Sequence, residues 1–94
     1  EMVLDRLAVD CTAGAGTITR FTPAPNGILD LTVEDPKAVR NGFEVPLTVG
    51  TVADAKNFAS WTVRVNGKEN KNRRLAYENG KLVIRAVGFA LTIR

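Results

Sequence analysis

Few side chains in this chain are of types that do covalent chemistry, and those few lack the neighbours they need. Ser60 is the only serine, Cys11 the only thiol, and there is no histidine at all. Without an imidazole neither hydroxyl nor thiol has its usual activating base, and the commonest zinc ligand is missing. Asp30, Glu34 and Asp35 form the one cluster of carboxylates worth weighing. A glycosidase pair has to face across a cleft about 5–10 Å wide, and here there is sequence proximity with no cleft signal. Calcium would take the same oxygens, but the spaced Asp-x-Asp-x-Asp-Gly pattern of a calcium loop is absent. Gly14 and Gly16 make a Gly-x-Gly with no helix signal behind it, so a dinucleotide loop fails on context. The expectation is a protein without catalytic activity, with no catalytic residues, no metal and no cofactor.

Charge is the more informative chemistry. Residues 1–60 hold five basic and eight acidic side chains, net −3, and residues 61–94 hold eight basic and two acidic, net +6. The excess is densest in "KENKNRR", where Lys68, Lys71, Arg73 and Arg74 surround Asn70 and Asn72. The plain reading is a solvated loop between strands. The sharper reading is a face for an acidic partner, a neighbouring copy included. Nucleic acid is not expected, because no aromatic side chains are interleaved for base stacking. A sugar-binding face would need exposed aromatic rings, and the supply is Trp61, Tyr77 and four phenylalanines. Trp61 shares parity with Val63 and Val65, and Tyr77 with Leu75, so both lean toward the core. The candidate binding residues are therefore Trp61, Lys68, Asn70, Lys71, Asn72, Arg73, Arg74 and Tyr77.

The elements that would hold these residues read as strands. Apolar residues alternate at Leu7, Val9 and Cys11; at Leu29, Leu31 and Val33; at Phe43, Val45, Leu47 and Val49; and at Trp61, Val63 and Val65. Leu75 and Tyr77, then Leu82 and Ile84, then Phe89, Leu91 and Ile93 continue the pattern. Half of the eight glycines follow an asparagine, and Asn-Gly supplies the positive φ values of a tight hairpin. Asn79-Gly80 is expected to close a two-residue hairpin, and Asn66-Gly67 either does so or opens a longer loop. "TPAPNG" reads as a loop, since Pro23 and Pro25 remove ladder donors. Pro46 makes its strand an edge or a bulged one. Pro36–Arg40 fits one helical turn, and "GTVADAKNFAS" is the only other helix-compatible stretch. Seven or eight short strands spaced about 8–12 residues apart predict an all-β fold, an antiparallel sandwich of Ig-like or jelly-roll-like type. Stacked β-solenoid rungs are the alternative, weakened by the lack of a fixed repeat.

Length fits a single domain, residues 1–94, and one cysteine rules out an internal disulfide framework. No apolar run reaches about 18 residues, so no membrane insertion is expected, and the start has no signal-peptide character, as in a mature protein or excised module. "GILDLTV", followed by "FEVPLTVGTV", "WTVRVNGK" and "LAYENGKLVI", resembles the closing segments of large bacterial surface and secreted proteins. Their C-terminal autotransporter-associated or β-sandwich modules end in an aromatic-led strand, an Asn-Gly-Lys turn and a final hairpin. The resemblance spans Gly27 to Arg94. It implies an extracellular or cell-surface module, non-catalytic, structural or assembly-forming, with neighbouring copies or domains as partners. The alternative is a carbohydrate-binding accessory module of a secreted enzyme, with a polysaccharide as partner.

Overall fold

The computed structural model describes residues 2–87; the alternation at Phe89, Leu91 and Ile93 lies outside them. The fold is all-β. Seven strands follow one another as β1 (Val3–Asp10), β2 (Gly16–Thr32), β3 (Phe43–Val52), β4 (Thr62–Val65), β5 (Lys68–Glu69), β6 (Arg73–Glu78) and β7 (Lys81–Ala86). Short 3-10 turns at Pro36–Ala38 and Ala55–Ser60 interrupt them. The strands make one mixed sheet in the order β5-β4-β2-β3-β7-β6, with β1 also paired to β2. The expected antiparallel sheet is corrected here: β2 runs parallel to β1, to β3 and to β4, and only the other three pairings are antiparallel. No stack of solenoid rungs is present among the described residues.

β2 organises the molecule. Asp10 pairs with Thr32, the last residue of β2, and residues 11–15 alone separate it from Gly16, the first. Six Cα steps reach at most about 22 Å, whereas a straight strand from Gly16 to Thr32 would run about 53 Å. β2 therefore turns back on itself, and the sheet curls with it. The register against β1 jumps from Leu4↔Pro23 to Arg6↔Ile28, which places the bend at residues 24–27. The half before it pairs with β3 and the half after it with β4.

"TPAPNG" is thus the elbow of a strand and not a loop. The prolines are tolerated because nearby side chains satisfy the irregular backbone. Asn57 Nδ2 donates to the Pro23 carbonyl at 2.9 Å, Trp61 Nε1 to the Ala24 carbonyl at 2.7 Å, and the Asn26 N–H to Ser60 Oγ at 2.8 Å. Asn26 takes φ 61°, a left-handed value that asparagine accepts. Pro46 resolves differently from an edge: β3 lies between β2 and β7. The β3–β7 register breaks between Glu44 and Thr48, and pairing with β2 begins only at Leu47. Pro46 falls between the two ladders, where its missing N–H costs nothing.

The alternation places the core as expected. Leu29, Leu31, Val45, Val49, Trp61, Val63, Val65, Leu75, Leu82 and Ile84 are buried and belong to one cluster. Phe58, from the second 3-10 turn, packs edge-on against both Phe21 (6.0 Å) and Trp61 (5.1 Å). Both expected hairpins form. Asn66-Gly67 (φ 51° and 86°) joins β4 to β5, and Asn79-Gly80 (φ 53° and 80°) joins β6 to β7.

Candidate functional site

The basic segment sits at one end of the curled sheet, where β2 and β4 finish and β6 begins. Asn66 fixes it there. Its φ closes the hairpin while its side chain grips the next strand: Oδ1 accepts from the Val33 N–H at 2.9 Å and Nδ2 donates to the Val33 carbonyl at 3.1 Å. Beyond β5 the chain turns on Asn70, whose Oδ1 accepts from the Asn72 N–H at 3.2 Å. Arg73 follows, half-buried. Its Nε donates to the Val39 carbonyl at 3.1 Å and its Nη1 to the Asn72 carbonyl at 2.9 Å. That guanidinium ties the segment after Pro36–Ala38 to β6.

The eight candidate residues therefore divide. Trp61 is 4% exposed, stacked in the core and bonded to Ala24. Its ring lies so close to Gly27 that a Cβ there would fall 2.2 Å from Cε2. Tyr77 is half-buried, its hydroxyl 3.3 Å from the carbonyls of Val49 and Gly50. Arg73 and Asn70 hold the turn together. Lys68, Lys71, Asn72 and Arg74 point outward. No side-chain hydrogen bond or ion pair involves Lys68 or Lys71 among the described residues, and Arg74 adds only weakly to the field that lowers the pKa of Glu78.

Two grooves flank this segment. One, of about 410 Å³, is lined by Trp61, Thr62, Glu69, Asn70, Lys71, Arg73, Arg74 and Val87 among others. The other, of about 690 Å³, is lined by Pro36, the hairpin residues Asn66, Lys68 and Glu69, and Asn70, Lys71 and Asn72 beyond them. A third, about 460 Å³, lies beyond the Pro36–Ala38 turn and is lined by Cys11, Thr12, Val33, Glu34, Asp35, Ala38 and Phe43. Sequence spacing gave no hint of it, because Cys11, Glu34 and Phe43 lie in separate segments of the chain. Cys11 is half-buried there, and burial, with the nearby Asp10 charge, pushes its thiol pKa up. Asp10 accepts two hydrogen bonds from Thr12, at 2.6 and 2.9 Å, which hold its carboxyl below the ordinary range.

The three clustered carboxylates do not converge. Asp30 sits on the outer face between Arg6 and Arg64, ion-paired to both. Arg64 also donates to the Gly67 carbonyl at 2.8 Å. Asp35 accepts from the Lys37 N–H at 3.0 Å and so caps the 3-10 turn. Glu34 is exposed and, among the described residues, makes no side-chain hydrogen bond or ion pair. Glu44 pairs with Lys81 at 3.1 Å. Among the described residues no group of acids, cysteine or histidine is placed to hold a metal ion, and no helix is long and apolar enough to cross a membrane. Comparison with protein-family models, with curated proteins and with solved structures finds no match to this chain.

Proposed function

We propose that this chain is a non-catalytic β module that works by contact, using its basic end to dock on acidic surfaces of neighbouring copies or domains in an extracellular or cell-surface assembly. The observation behind this reading is the division among the candidate residues. The rings of Trp61 and Tyr77 are committed to the core and to backbone carbonyls, while Lys68, Lys71 and Arg74 remain exposed around two grooves. A face with free cations and, among the described residues, no free tryptophan or tyrosine ring suits charge, not ring stacking. The extracellular placement rests on the resemblance of Gly27–Arg94 to surface modules. We also read the two halves of the sheet, joined by the bend of β2, as packed face to face in the manner of a sandwich, on the support of their single shared core.

Carbohydrate binding is the second reading. It is favoured by the asparagines and cations lining the larger groove, and it narrows to an acidic glycan. Affinity electrophoresis of the whole chain separates the two. Gels containing polyglutamate should retard the protein at low salt, and Lys68→Glu with Lys71→Glu should release it. Retardation by a neutral polysaccharide that survives moderate salt and the double substitution would overturn the contact reading. Retardation by a sulfated or uronic glycan but not by polyglutamate would replace the contact reading with the acidic-glycan one.

A further inference from the structure

The net charges of the two parts of the chain suggest a molecule with opposite poles, stacking head to tail. The fold favours a different arrangement. Asp10 ends β1 beside Thr32, Val33 is held by Asn66, and Asn66 opens the hairpin that carries Lys68. Acidic and basic flanks thus share one end of the molecule. The Pro36–Ala38 turn is the wall between them, giving Ala38 to the acidic groove and Pro36 to the basic one. Three other acids are engaged, Asp30 with two arginines, Glu44 with Lys81 and Glu78 with Arg85, while Glu69 lies among the cations of the basic groove.

Oppositely charged flanks side by side on one face are self-complementary under a two-fold rotation. Each copy then sets its basic hairpin into the other's acidic groove, and the contact is made twice. A head-to-tail contact would use one flank per neighbour, so each contact would be made only once.

We propose that the partner of the basic end is a second copy of this chain, bound through the same end in a closed two-fold pair. Glu34 and Asp35 of each copy face Lys68 and Lys71 of the other, across the paired 3-10 turns. This rests on the contact reading above, and it specifies the acidic surface that reading left general. Closed pairing stops at two, so the basic hairpins are consumed in the pair and do not propagate a fibre.

Sedimentation velocity of the whole chain tests it, with two charge-reversed variants. One is Lys68→Glu with Lys71→Glu; the other is Glu34→Lys. None of these side chains makes a described hydrogen bond or ion pair, and circular dichroism is to check that each variant folds. The wild type should reach a dimer at low salt and grow no further with concentration. Its dissociation constant should rise about tenfold toward physiological salt, where exposed charges are screened over roughly 8–10 Å. Each variant alone should stay monomeric, and an equimolar mixture should form a dimer containing one of each. A wild type that stays monomeric at low salt overturns the pairing, and the polyglutamate result still decides the contact reading. Mass that climbs past the dimer overturns it in favour of a propagating contact. Variants that fail to pair when mixed place the contact elsewhere.

Discussion

Gly27 and Trp61 are tied together so closely that either can be read through the other. A methyl group at Gly27 would overlap the indole, and the indole is held by its bond to Ala24 and its edge-on packing against Phe58. Gly27→Ala should lower stability by about 1–3 kcal/mol, the usual cost of overpacking a filled core. Chemical denaturation measures it, and an unchanged midpoint would contradict the ring's placement. Glu78 gives a second test at this scale. Arg85 donates to it twice, at 2.5 and 3.0 Å, and the hydrogen bonding lowers the Glu78 pKa below its ordinary value. A carboxyl depressed on folding stabilises the protein above its unfolded pKa, and that contribution is lost as the pH falls through the folded one. Glu78→Gln should therefore be less stable than the parent at neutral pH. The gap should close as the pH drops below about 4, near the ordinary range of a glutamate. A gap that persists into acid would show that charge is not its source.

The bend of β2 depends on groups far from it in sequence. Asn57 and Ser60 lie in the second 3-10 turn, and they bond Pro23 and Asn26. Asn57→Ala should cost about 1–3 kcal/mol, since it leaves a partly buried carbonyl without its donor. Exchange at the Ile28 and Leu29 amides should rise more than at the β6–β7 hairpin. Uniform loss across the sheet would contradict a local role. The same dependence explains what the sequence did and did not disclose. Strand parity at Leu29, Leu31, Trp61 and Val63 follows from nearest neighbours, and Asn66-Gly67 and Asn79-Gly80 announce their own hairpins. Pro23 and Pro25 read as a loop because a proline in a strand is acceptable only if distant side chains satisfy its surroundings. Parallel pairing of β2 with β1, β3 and β4 leaves no local mark either. Its partners are set by the bend, not by turns. Among the candidate site residues, Lys68 and Lys71 were legible as exposed cations. The structural duty of Arg73 was not, since its acceptor Val39 lies in another segment.

For the whole molecule, one end brings together charges of both signs that are unpaired among the described residues. Glu34, Lys68 and Lys71 stand there, on two sides of the Pro36–Ala38 turn. The opposite end holds the Asn79-Gly80 turn and the bend of β2, and its polar groups near the bend are spent on the backbone. Exposed apolar side chains lie at Met2 and Val3, at the start of β1, and at Val87, in the smaller groove of the basic end. The most direct test of where the module makes its contacts is amide hydrogen exchange of the wild type at low salt, compared between dilute and concentrated protein. Protection should grow with concentration in residues 34–40 and 66–74, and stay unchanged along β1 and at the Asn79-Gly80 turn. No concentration dependence, or protection gained instead along β1, would contradict the account.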